Sequence, residues 1–289
     1  MNPFLPIGVM DSGVGGLTVA RRLADMAPGE SIIYFADSAR FPYGPRILEE
    51  VRGFTFEILD FLQDQGVKLG LIACNTASAA ALEAVRDHYP FPVIGVIDPG
   101  ADSAVAATKN GRVGVLATRA TIGSGAYQEA IKRRMPGVQV FGEACPKFVL
   151  MVEAGDFGSP EALAVARDYL LPMIERGVDT LVLGCTHFPP LVPLIRSVAG
   201  ESVALVDPAW ETARLAIEVL GRAGGLSPRE VGERIFYTSG DPEAFRRMSP
   251  LFWPGANHDV RHKEWDRETD RETAPRERET SGRDEKLPK

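Results

Sequence analysis

Short, wholly apolar runs separated by longer amphipathic stretches recur along this chain, and few folds accept that alternation. Runs of four to six apolar residues are buried on both faces, which here means parallel sheets with helices packed against them. The first runs fall at 7–10, 31–35, 69–73 and 93–97, and a second series follows at 112–117, 138–141, 180–183 and 203–206. The second series echoes the first. Gly8-Val9-Met10-Asp11-Ser12 resembles Gly114-Val115-Leu116-Ala117-Thr118, 106 positions later. Gly66-Val67 stands eight residues before Cys74-Asn75-Thr76, as Gly177-Val178 stands eight before Cys185-Thr186-His187. Ile97-Asp98-Pro99 returns as Val206-Asp207-Pro208, 109 positions on.

Three matches in one order at a nearly constant offset point to an α/β protein of two pseudosymmetric parallel-sheet domains. Each Asp-Pro marks a strand end where the chain changes domain, so the expected domains are 1–98 plus 208–255 and 99–207. A helix over 211–220 returns the chain to the first. From His258 onward the composition changes. Of the last 32 residues, 19 are Asp, Glu, Lys or Arg, and little apolar surface remains to offset ordering entropy. The segment 256–289 therefore reads as a disordered charged tail, and removing residues 258–289 is expected to leave activity nearly unchanged.

At 289 residues each half can bury a core of its own. No apolar run approaches the roughly 20 residues of a membrane helix. The start, Met1 to Pro6, lacks the basic and apolar regions of a signal peptide. The expectation is a cytoplasmic chain with no membrane partner. A net charge of −7 argues against a nucleic-acid surface. Three distant cysteines do not form a disulfide framework, and the four His and three Cys lack metal-ligand spacing, so no metal is expected.

Cys74 ends an apolar run and precedes an Ala-rich helix for which Asn75 or Thr76 is a natural N-cap. The carboxyl end of a parallel strand is where ligands of α/β sheets collect, and a helix N-terminus lowers a thiol pKa. Cys185 follows its run in the same way. Two cysteines at matching positions of two halves are a stronger signal than either alone, whereas Cys145 before Pro146 reads as structural. Asp11-Ser12-Gly13-Val14-Gly15-Gly16 forms a Gly-rich strand-to-helix turn, an anion site in principle but not a dinucleotide fingerprint. Asp11 suits either a helix cap or a substrate ammonium. Pro42-Tyr43-Gly44-Pro45 is a rigid turn, and Thr118-Arg119-Ala120-Thr121 supplies hydroxyls.

With Ala39-Arg40-Phe41-Pro42-Tyr43-Gly44, Cys145-Pro146 and Leu183-Gly184-Cys185-Thr186-His187-Phe188-Pro189 added, the chain resembles the cofactor-independent aspartate/glutamate racemase family from about residue 7 to 241. The resemblance implies an active site in the cleft between the two domains, no cofactor, and a homodimer. It also implies an isomerase interconverting L- and D-glutamate, with D-glutamate feeding peptidoglycan synthesis. Carried over by position, Cys74 and Cys185 match the two acid/base thiols, assisted by Asp11, Glu153 and His187. Asp11, Ser12, Tyr43, Gly44, Asn75, Thr76, Thr118, Thr121, Thr186 and His187 match substrate-contacting positions. His187 after Cys185-Thr186 favours glutamate, because aspartate racemases of the family tend to carry Glu there. Lys147 stands where the family usually has an apolar residue. The competing readings are a racemase of aspartate or another acidic amino acid, a cysteine-dependent hydrolase or lyase with Cys74 as nucleophile, and a non-catalytic binding protein that keeps the fold.

Overall fold

The computed structural model describes residues 1–255 and 259–265. Its strands, in chain order, are β1 (Ile7–Asp11), β2 (Ile32–Ala36), β3 (Leu69–Ile72), β4 (Val93–Gly95), β5 (Arg112–Ala117), β6 (Gln139–Ala144), β7 (Thr180–Gly184), β8 (Ala204–Val206), β9 (Arg234–Thr238) and β10 (Val260–His262). They form two sheets, one ordered β10-β9-β2-β1-β3-β4 and the other β6-β5-β7-β8, with every pairing parallel. The central strands β1, β3 and β7 are buried at every position, which is why they read as unbroken apolar runs rather than alternating ones. The expected α/β class with two parallel sheets is what the chain adopts.

The elements also depart from the expectation. Ile97 does not end a strand; it opens the helix Ile97–Ala107, which packs on the second sheet with Ile97, Ala101 and Ala104 among β5 and β7 residues. The helix expected over 211–220 runs Pro208–Arg222, with Asp207 as its cap through a bond from the Ala209 N–H at 3.0 Å. It packs on the helix Leu17–Met26 of the first half through Ala209, Ala213, Ala216 and Leu220. One core cluster, holding Leu17 and Leu23 as well as Leu181, Leu183 and Phe188, runs continuously through both sheets. The halves are thus joined by shared apolar packing and not only by linkers.

The expected tail needs correction at its start. Residues 260–262 form β10, paired in parallel with β9 as Val260↔Phe236, Arg261↔Tyr237 and His262↔Thr238. Trp265 packs on Phe35, with ring centroids 5.2 Å apart. Val260 and Trp265 are two of the few apolar residues of that segment, and charge counting gave them too little weight. The remainder, 256–258 and 266–289, lies outside the described residues. No described helix is long and apolar enough to cross a membrane.

Candidate active site

Cys74 leaves β3 in an extended conformation and is itself the N-cap of the helix Asn75–Val85, its sulfur accepting from the Ala77 N–H at 3.4 Å. The cap is therefore the thiol, not Asn75 or Thr76, and this releases both for other work. The Asn75 Oδ1 accepts from the Tyr127 hydroxyl at 2.7 Å, so its NH2, which has no partner among the described residues, remains as a donor. The Thr76, Thr118 and Thr121 hydroxyls form a triangle with edges of 3.0, 3.1 and 3.0 Å that spans the two halves. Ser12 Oγ stands 3.8 Å from the Cys74 sulfur.

Cys185 follows β7, but its setting differs from that of Cys74. The chain turns through 185–188 into a short 3-10 segment, Pro189–Leu191, before the helix Val192–Ala199 begins. Pro189 and Pro190 bring no N–H groups, so no helix N-terminus can form at the sulfur. The donor that Cys185 receives is the His187 N–H. Both thiols are buried. Burial pushes the Cys74 thiol up to about 12, and the charge of Asp11 adds to this against the donors Ala77 and Ser12. Burial raises Cys185 as well, with the His187 N–H opposing. The expectation that helix N-termini depress the thiols fails because desolvation outweighs one or two N–H dipoles.

The Gly-rich turn is not an open anion site. Its Gly13 and Gly16 N–H groups donate to the Asp11 Oδ2 at 3.2 and 3.0 Å, so the chain's own carboxylate occupies it. Asp11 is fully buried, and burial raises its carboxyl above the usual range, opposed by the charge of His187 and by the Gly16 and Gly13 donors. The Thr186 hydroxyl donates to Asp11 Oδ1 at 3.3 Å. The glycines have a second use: a Cβ at Gly15 would lie 2.6 Å from Thr186 Oγ1 and 2.8 Å from His187 Nδ1. Only a residue without a side chain lets the Cys185-Thr186-His187 turn come this close to the first half.

His187 is held on three sides. Its Nε2 lies 2.8 Å from Glu153 Oε1, its ring stacks on Phe41 at 5.2 Å, and Phe252 meets it edge-on at 5.5 Å. Across the cleft, the Gly44 carbonyl accepts from the Ala120 N–H at 3.1 Å, clasping the first half to the second.

These elements enclose a cavity of about 170 Å³. That is below the roughly 300–1,000 Å³ of drug-sized pockets and suits a small metabolite. Cys74, at the end of a first-sheet strand, and Cys185, at the end of a second-sheet strand, both line it. So do Ser12, Tyr43, Gly44, Asn75, Thr76, Thr118, Thr186 and His187. Asp11, Thr121 and Glu153 do not reach its wall; they stand behind Thr186, Thr76 and His187 respectively. Cys145 is buried away from it, and Lys147 is exposed. Among the cavity residues that the sequence reading did not name as site residues are Phe41, Pro42, Pro45, Arg119, Pro146, Val149, Leu150 and Gly184. A signal existed for three of these, since 146, 149 and 150 precede Glu153 by seven, four and three positions and share its helix face.

Residues 7–216 match the model of the Asp/Glu/Hydantoin racemase family. A glutamate racemase of Mycobacterium leprae is 47% identical over 253 residues, covering 87% of this chain and 93% of that protein. Among solved structures, a glutamate racemase from Bacillus anthracis superposes with a TM-score of 0.88 at 38% identity, covering 91% of this chain and 98% of the other. One from Francisella tularensis, in complex with D-glutamate, gives 0.84 at 34% identity with the same coverages. Motifs, two-sheet architecture and overall similarity agree, and the chain belongs to the Asp/Glu/Hydantoin racemase family.

Proposed function

We propose that this protein is a glutamate racemase that inverts the α-carbon by proton transfer between two thiols, Cys74 and Cys185. The observation that carries the reading is that the two sulfurs come from different sheets yet line one small cavity. Inversion requires a proton to leave one face of the α-carbon and another to arrive on the opposite face. Two opposed groups do this without either crossing the substrate.

In the L-to-D direction the Cys185 thiolate takes the α-proton, and the bonding pair delocalises into the α-carboxylate as an enediolate-like carbanion. The Cys74 thiol then delivers its proton to the other face. The product state carries a Cys74 thiolate and a Cys185 thiol, which is the state that accepts D-glutamate, so proton exchange with solvent resets the cycle. Ser12, Asn75 and Thr76 are the donors suited to the carboxylates as charge develops, while the Thr186 hydroxyl is engaged by Asp11. Asp11, Glu153 and His187 position the turn that carries Cys185 and set the field around it.

The raised thiols make the substrate's own charge part of the mechanism. Burial raises both thiols and so favours their protonated forms. The substrate ammonium favours the thiolate nearest it and the two carboxylates oppose ionisation, so where these charges lie relative to each sulfur decides which thiol ionises. The thiols and the bound substrate therefore titrate as a coupled set, and the pH–rate profile belongs to the pair. The family resemblance further supports a cytoplasmic homodimer supplying D-glutamate to peptidoglycan synthesis.

The test is incubation of the pure protein with L-glutamate and, separately, L-aspartate in D2O. Deuterium at the α-carbon and growth of the D-enantiomer are expected with glutamate. Exchange with aspartate alone would overturn the substrate, and a covalent adduct under turnover would overturn the chemistry.

A further inference from the structure

Asp37 follows β2 and is fully buried, a costly place for a carboxylate unless its oxygens are well supplied with donors. Its Oδ2 accepts from Arg40 Nε at 2.7 Å and from the Tyr43 hydroxyl; its Oδ1 accepts from Ser239 Oγ at 2.7 Å and from the Trp265 indole Nε1–H at 3.0 Å. The fourth donor comes from the segment whose composition reads as a dispensable tail. Trp265 is brought there by β10 and by the Lys263 N–H, which donates to the Thr238 carbonyl at 2.9 Å. Its ring does further work, since the Arg40 guanidinium lies 4.6 Å from the Trp265 ring and 4.1 Å from that of Phe54.

We propose that Trp265 is a positioning residue for the substrate-lining loop 41–45, acting through Asp37 and Arg40. The inference rests on the glutamate reading above for its kinetic consequence. Asp37 holds the Tyr43 hydroxyl, and Tyr43 and Gly44 line the cavity. Phe41, in the same loop, stacks on His187. The Gly44 carbonyl carries the clasp to Ala120, beside Thr118. Disturbing the donors around Asp37 therefore reaches the walls of the cavity on both sides. Neither Trp265 nor Asp37 lines the cavity, so neither touches the proton transfers, and the effect falls on binding.

The experiment compares the full-length protein with W265F, which keeps an aromatic ring but has no N–H donor, and W265A, which loses both. In W265F the KM for D- and L-glutamate rises severalfold, with about tenfold as the ceiling set by one hydrogen bond to a buried charge, while kcat and the pH optimum hold. W265A shows a larger rise. In hydrogen–deuterium exchange, amides at 40 and 46, whose N–H groups bond to the Asp37 and Tyr43 carbonyls, exchange faster in both variants. Wild-type KM and loop exchange in folded W265F and W265A, with only a lower melting temperature, overturn the proposal. If the parent protein does not racemise glutamate, the functional reading falls, and loop exchange alone still decides the role of Trp265.

Discussion

Replacing Gly15 with Ala tests whether contact between the two halves sets the reactive geometry. Gly15 has no left-handed φ, so alanine meets no backbone strain there. The problem is space, because the new Cβ would sit 2.6 Å from Thr186 Oγ1, 2.8 Å from His187 Nδ1 and 2.9 Å from the Thr186 carbonyl carbon. The hydroxyl can rotate away, but the backbone carbon cannot. Relaxing that contact to an ordinary separation of about 3.5 Å moves the turn carrying Cys185 by roughly 0.6 Å. Misplacing a reacting group by about 1 Å costs about a hundredfold in rate, so a loss of about tenfold or more in kcat is expected. Overpacking of this kind also destabilises by about 1–3 kcal/mol, a fall of several degrees in Tm for a chain of this size. Circular dichroism following glutamate racemisation gives the rate, and a thermal melt gives the stability. A Gly15→Ala protein with parental kcat and Tm would refute the claim that the close approach at Gly15 holds Cys185 in place.

Two further outcomes follow from the same structure. Gly53 lies inside the helix Leu48–Asp64 with nothing within 4 Å of an added Cβ, so Gly53→Ala is expected to stabilise by about 0.5–1 kcal/mol without touching activity, as read by denaturant midpoint and initial rates. Cys74, Cys145 and Cys185 all have thiols raised by burial, so below the unfolded thiol value of about 8.5 neither state is ionised and their contribution is intact. Above it the unfolded state sheds protons that the folded state keeps. Stability is then lost with rising pH at about 1.4 kcal/mol per pH unit per thiol until the folded values are reached, and a Cys74→Ser, Cys185→Ser double variant should show a shallower decline in melts from pH 8 to 11.

The fold was legible wherever strands are buried on both faces. Near-continuous apolar runs located β1, β3, β5 and β7, and the repeat of Gly-Val and Cys-Asn/Thr at a steady offset revealed the two halves. It was not legible at the edge of the first sheet. β9 carries the half-buried Arg234 and Tyr237 and β10 the exposed Arg261, which break the apolar pattern, and β10 stands in a charge-dense stretch. Of the site, the cavity residues beside the two cysteines were readable from local motifs, because strand–turn–helix junctions give them fixed places, whereas those on the helix 146–153 were not. What sequence could not convey was which partner each would choose. Asp11 takes the N–H groups of its own turn, the sulfur of Cys74 displaces Asn75 as cap, and two prolines deny Cys185 the helix end that its counterpart has. The depressed thiols expected from helix ends failed for a related reason, since desolvation depends on how tightly two distant segments close over one another.

The central claim is that protons reach the two faces of the α-carbon from two different sulfurs. Its most direct test is the isotope content of both enantiomers during the first turnovers in D2O, for the parent protein and for Cys74→Ala and Cys185→Ala. The account predicts that in the parent the newly formed enantiomer carries deuterium while the remaining substrate keeps its hydrogen, and that each single variant stays folded but no longer interconverts the enantiomers. Deuterium arriving equally in recovered substrate and product, or continued racemisation in either variant, would contradict it.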